Sequence, residues 1–379
     1  MENPKLALIP SGYKSGTVYS ILPTDGVGDF DFSRGSEAAR VRKDGLIETV
    51  TNNVPRLDWL NSSCPSLLLE PQSTNTVTYS EDFSQWIANS SPILTSGQLA
   101  PDGTLSATKI SGTIGSSNIF LTSSSTTASR SIYARTVSGT GTAKLMSYFG
   151  NTNNLFTLTE EWQRFELTGS STAGGANFYI DFRDNAQTLS EFIIWGAQSE
   201  ELSFATSYIP TSGSTVTRLQ DFIDGSGSSS LFNSLESTFF LEMASFLNAQ
   251  TNSNGIELAD ISGQNRITLQ YDTPNNQIRC DVRVLNSAQA IITTQSFDVT
   301  NFNKMAITYK LNEVKFYVNG QLIGTDTSVN LFAPNTLTEV RSTIAGISSG
   351  AFNLQAKIKD LRVYDRVLTE AEAIKLTTI

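Results

Sequence analysis

The chain has 379 residues, with 26 Lys and Arg against 36 Asp and Glu, a formal net charge of −10 and no histidine. At ~100–200 residues per domain the length predicts two or three domains, each able to bury a core. An acidic balance without a basic stripe argues against nucleic-acid binding, and the missing histidines exclude Ser-His-Asp and Cys-His catalysis, imidazole zinc sites and any unperturbed group titrating near neutrality.

From the N-terminus, Met1 to Pro10 carries one Lys and the short apolar run Leu6 to Ile9. That run is too short for a signal-peptide core or a bilayer span, so a soluble protein without an ordinary export signal is expected. Asp25, Asp29 and Asp31 surround Gly26 and Gly28 and read as a turn with solvated side chains. Cys64 and Cys280 are far apart and are expected as two reduced, mostly buried thiols. Polar linkers near Pro71 to Asn75 and over Thr211 to Arg218 predict three consecutive segments, 1–75, 76–218 and 219–379.

Short apolar alternations recur at roughly 8–12-residue spacing, the all-β pattern. Strands are predicted over Ser237–Met243, Arg266–Tyr271, Gln277–Leu285, Lys304–Tyr309, Glu313–Val318 and Lys357–Tyr364. Asn319-Gly320 predicts a type I′ hairpin turn, because both residues tolerate positive φ. One helix is predicted at the C-terminus, with Thr369 as N-cap, Glu372 closing a capping box, and Ala373, Ile374 and Leu376 on the apolar side. At about two turns it must dock on a sheet to survive.

The runs Lys304 to Tyr309, Val314 to Gly320 and Ile358 to Glu372 resemble the laminin-G/pentraxin-like (concanavalin A-like) sandwiches, with Tyr364-Asp365-Arg366 as the turn before the closing helix. The middle segment resembles the carbohydrate-binding-module-like jelly rolls of phage structural proteins. It does so through Thr78 to Trp86, Thr159 to Phe165, Ile194 to Glu201 and Thr206 to Thr211, departing at Ser199, where an apolar residue is expected. Thr24 to Ser36, Ala39-Arg40-Val41, Asp44 to Glu48, Val54-Pro55-Arg56 and Cys64 to Gln72 resemble the leader of tail- and fibre-associated proteins of tailed phages.

Glycanases on such sandwiches need two carboxylates ~5–5.5 Å apart on one face. The Glu-x-Asp-x-x-Glu run of the glucanase branch is absent, and Glu257 and Asp260 have the wrong spacing for one strand face. The adjacent pairs Glu160-Glu161 and Glu200-Glu201 point to opposite faces and are expected as solvated acids at strand ends. No catalytic residue is assigned and no cofactor is expected. Laminin-G-like domains often bind calcium, which leaves Asp221, Asp224, Asp260, Asp326 and Asp360 as open candidates, although no Asp-x-Asp-x-Asp-Gly loop occurs. Trp86, Trp162 and Trp195 are expected as buried anchors with satisfied indole N–H groups. The candidate glycan-binding residues are Tyr148, Asn151, Asn153 and Asn154 in one polar loop, with Arg183 and Asp184 at another strand end.

The expected architecture is all-β: a β-rich attachment segment and two jelly-roll sandwiches in series, closed by one short helix. The resemblances imply a structural protein of a tailed-phage particle, a fibre or an accessory head or tail adhesin on the virion surface. Its expected partners are other virion proteins, through the N-terminal segment, and host-surface glycan. A homo-oligomer is expected, a trimer by guess, with no nucleic acid and no membrane insertion. A polysaccharide depolymerase and a purely architectural virion protein are the alternatives.

Overall fold

The computed structural model describes residues 3–122, 129–147, 155–168, 177–248, 254–272, 275–342 and 354–379. The chain is built from short strands, with one 3-10 turn at Phe83–Gln85 and one α-helix at Glu370–Thr377 among the described residues. It divides into two compact units, each assembled from separated pieces of sequence. The first comprises Met1–Gly35, Thr51–Pro71 and Gln220–Ile379, and the second Ser36–Val50 and Gln72–Leu219.

This division differs from the three consecutive segments expected, and strand pairing is the reason. Leu6–Leu8 pairs with the closing strand Ala356–Tyr364, Leu6 opposite Val363 and Leu8 opposite Leu361. Ser66–Leu69 pairs with the other end of that strand. Leu57–Asp58 pairs in turn with Ser66–Leu69, so residues 1–75 contribute three strands to the C-terminal sandwich, while the hairpin of Ala38–Val41 and Ile47–Val50 joins the second unit.

In the first unit an eight-stranded sheet lies over a five-stranded one. Alternation along Glu236–Ser245 turns Phe239, Leu241 and Met243 inward, where they join Ile256, Leu258, Ile267 and Leu269 of the five-stranded sheet in one core. The predicted strands all form. Asn319 and Gly320 take φ of 49° and 79°, as the type I′ turn requires. The helix forms with its full capping box, and Ala373 docks with Ile374 and Leu376 on Phe240, Ala306, Tyr317 and Tyr364 of the eight-stranded sheet. Cys280 is buried, but Cys64 is exposed, because its turn after Trp59 lies outside the sheets.

The second unit packs two five-stranded sheets face to face. Ile119, Leu145, Phe178 and Ile180 from one sheet meet Ile110, Ile132, Phe192 and Ile194 from the other. A second cluster forms on the far side of the latter sheet, where Trp195, Ile193 and Tyr208 pack with Ala39 and Ile47 of the hairpin. Gly196, at φ 65°, lets both rings approach: a Cβ there would sit 3.2 Å from Tyr208 and 3.3 Å from Tyr133. The pairing register shifts at this point, a bulge that restores Ala197 to the main core.

Candidate functional site

A sandwich of two sheets has four faces. In the second unit two make the main core, and a third is covered by the Trp195 cluster and the hairpin. The remaining face belongs to the sheet ordered Ile87–Asn89, Asn118–Thr122, Asn177–Asp181, Gly141–Ser147 and Leu155–Leu158. Period-2 alternation decides what it carries. With Ile119, Phe178 and Ile180 in the core, Phe120, Tyr179 and Asp181 point outward.

Phe120 stands directly opposite Tyr179, with ring centroids 4.9 Å apart, and opposite Ile87, which is exposed. The Arg183 guanidinium lies 4.8 Å from the Tyr179 ring centroid. It is fixed there by a two-pronged contact with Asp181, Nε to Oδ1 at 2.8 Å and Nη2 to Oδ2 at 2.8 Å. Asn177 donates Nδ2 to the Tyr179 hydroxyl at 3.2 Å and accepts from Thr122 at 2.9 Å. Lys144, opposite Asp181 in register, reaches Asp184 at 3.4 Å.

These contacts set the charge states. Burial alone would raise the Asp181 carboxyl, but hydrogen bonds and charge from Arg183 hold it below the usual carboxylate range. The Asp181 hydrogen bond raises Arg183 in turn. Asp184 is held low by the Ala186 backbone N–H and then by Lys144. The face thus presents an exposed, ionised Arg183, the half-buried Phe120 ring and an ionised Asp184, whereas the Tyr179 ring under the guanidinium is buried. Arg183 Nη1 makes no hydrogen bond among the described residues. Such a surface can pack against the apolar face of a small ring and exchange hydrogen bonds with hydroxyls.

Of the sequence-predicted residues, Arg183 and Asp184 lie here, close to Lys144. Tyr148, Asn151, Asn153 and Asn154 lie outside the described residues; their segment joins Gly141–Ser147 to Leu155–Leu158, both strands of this sheet. The sequence reading missed Phe120, Tyr179, Lys144 and Asp181. Alternation in Asn118–Thr122 and Asn177–Asp181 groups the right residues, but it does not reveal which group faces out.

Other expectations are corrected by burial. Glu160, Glu161 and Glu201 are exposed as expected, but Glu200 is fully buried. It accepts from Ser73 Oγ at 2.6 Å, Gln198 Nε2 at 2.7 Å, the Thr206 N–H at 2.9 Å and the Thr206 hydroxyl. Trp86 and Trp195 are buried anchors, donating to Tyr79 O at 3.0 Å and Ser106 Oγ at 2.7 Å. Trp162 is only half-buried, its ring under Arg135 at 5.3 Å. Asp29 accepts from the Ser20 N–H at 2.9 Å instead of standing free in its turn. Among the calcium candidates, Asp221 is consumed by two buried arginines and Asp360 by Arg362. Asp260 and Asp326 accept from their own turns. No group of three or more Cys, Asp and Glu placed to hold a metal occurs among the described residues.

No curated protein matches the chain. Among solved structures, the carbohydrate-binding module CBM40 of the Ruminococcus gnavus IT-sialidase bound to α2,3-sialyllactose is similar at 15% identity, over 41% of this chain and 93% of that one, with a TM-score of 0.33. The native heptameric SAP-like pentraxin of Limulus polyphemus is similar at 15% identity, over 38% of this chain and 71% of that one, with a TM-score of 0.32. The leech intramolecular trans-sialidase complexed with 2,7-anhydro-Neu5Ac is similar at 16% identity, over 38% of this chain and 24% of that one, with a TM-score of 0.32. Residues 243–373, most of the C-terminal sandwich and its helix, match the family model described as the concanavalin A-like lectin/glucanases superfamily.

Proposed function

We propose that the chain is a glycan-binding adhesin of a tailed-phage particle, a fibre or an accessory head or tail protein. The binding half of this reading is supported by one observation: on the outer sheet face of the second unit an exposed Arg183 lies over the buried Tyr179 ring, with the half-buried Phe120 beside it. A lectin-type family match over 243–373 supports the same class of ligand. The virion half rests on the resemblance of the leader and of the middle blocks to phage structural proteins.

In this reading residues 1–75 carry the contact with other virion proteins. The protein sits on the outer surface of head or tail and works as a homo-oligomer, a trimer. It binds without turnover.

The binding half is tested on a glycan array and by calorimetry with the full chain, alongside Phe120→Ala and Arg183→Ala. At least a tenfold loss of affinity is expected for each, measured at a temperature where the variant is still fully folded. Undiminished binding in both variants refutes the site. Immunogold labelling of intact particles tests the location, and particles free of label refute it.

A further inference from the structure

The strand Ser73–Asn75 runs antiparallel to Val216–Arg218, with Thr74 opposite Thr217. Just beyond it the Thr76 N–H and hydroxyl both donate to Ser199 O, at 2.9 Å and 3.0 Å, and Ser73 Oγ donates to Glu200 at 2.6 Å. Three separate pieces of chain are thereby held together, and a cavity of about 320 Å³ opens among them. Every residue that lines it belongs to the second unit. Its volume is at the small end of the ~300–1,000 Å³ of small-molecule sites, which suits a single sugar unit.

The lining divides into spent and free groups. Ser73 and Thr76 are buried with their hydroxyls already used, and the Thr74 and Thr217 hydroxyls bond to each other at 2.8 Å. Gln72, Glu201 and Thr215 are exposed. Among the described residues none of their side chains has a hydrogen-bond or ion-pair partner. Leu202, half-buried, adds an apolar wall.

Glu201 brings the one charge to this lining, and no Lys or Arg stands in it as a counter-ion. A carboxylate only accepts, whereas the Gln72 amide and the Thr215 hydroxyl both donate and accept. The complementary ligand therefore carries an ammonium, hydroxyls and a C–H face. The formal charge of −10 favours the approach of such a cation. A bare metal ion fits less well: calcium takes about 6–8 oxygen ligands, and no group of three Cys, Asp and Glu placed to hold one occurs among the described residues.

We propose that this cavity binds one amino-sugar unit with a free amine, its ammonium on the Glu201 carboxylate and its hydroxyls on Gln72 and Thr215. The C–H face of the ring packs on Leu202. The site shares no residue with the Phe120 and Arg183 face and does not rest on that face binding sugar.

The test titrates the full chain by calorimetry with a glucosamine tetramer, its N-acetylated counterpart, putrescine and calcium chloride separately. The glucosamine tetramer is expected to bind, more weakly as salt rises, and about tenfold more weakly in Glu201→Gln, the loss of one charge-assisted hydrogen bond. Thr215→Val should weaken it several-fold and leave putrescine, which has no hydroxyl, unaffected. Both positions are exposed and unpartnered, so both variants should keep the parent's melting temperature. The N-acetylated tetramer, which carries no charge, should bind far more weakly than the free amine. Arg183→Ala should leave tetramer binding as it is. The proposal is overturned if neither Glu201→Gln nor Thr215→Val weakens binding, or if the N-acetylated tetramer binds equally. It is likewise overturned if putrescine or calcium displaces the tetramer at equal concentration, or if Arg183→Ala alone abolishes binding.

Discussion

Arg34 reaches Asp221 across 187 positions of sequence, Nη1 to Oδ1 at 2.9 Å, with neither side chain exposed. The second Asp221 oxygen takes Arg56 and the Glu70 backbone N–H, and Arg56 Nη1 also binds Glu70 at 2.6 Å. Burial would lower the Arg56 pKa, but Asp221 and Glu70 outweigh it and push it up. Asp221→Ala would leave two buried cations short of their shared partner, at a cost of about 3–5 kcal/mol. Guanidinium unfolding measures this, and an unchanged midpoint would contradict it.

The helix cap predicts an acid-sensitive contribution. Glu372 is lowered from 4.5 to about 2 by Arg366 and then by the Thr369 backbone N–H. A carboxylate depressed in the folded state stabilises above its unfolded pKa, and that contribution fades as pH falls from about 4.5 towards 2. Melting scans over that window should show a steeper decline for the parent than for Glu372→Gln. Parallel profiles would remove the cap from the account.

Near neutrality the opposite is expected. With no histidine, and with burial pushing the Cys280 thiol up, few groups change protonation between folded and unfolded chains around pH 6 to 8. Stability should be flat there, which denaturant midpoints at several pH values check directly.

Ser199 occupies a core-strand position with no exposure, and its hydroxyl has no hydrogen-bond partner among the described residues. Removing an unsatisfied buried polar atom recovers its desolvation cost, about 1–3 kcal/mol. Ser199→Ala should therefore raise the melting temperature of the second unit, and a lower one would show the hydroxyl to be satisfied.

Local signals were legible and distant ones were not. The Asn319-Gly320 turn and the Thr369–Glu372 box each lie within four residues, so spacing alone specified them. The pairing of Leu6 with Val363 has no local signature, because alternation marks a strand without naming its neighbour. Glu200 read as solvated for the same reason: the groups that bury and satisfy it, Ser73 and Thr206, come from outside its strand. Arg183 was found through its polar strand end. Phe120 and Tyr179 were missed because only the packing of Ile119, Phe178 and Ile180 shows which side is free.

The register of Leu6–Leu8 against Ala356–Tyr364 also sets the mechanics of the chain. A pull applied at Lys5 and Asp365 loads two strand ends that lie side by side, so the residue pairs open in succession instead of shearing together. Residues 72–219 lie wholly between those grips, shielded from tension while that zipper holds.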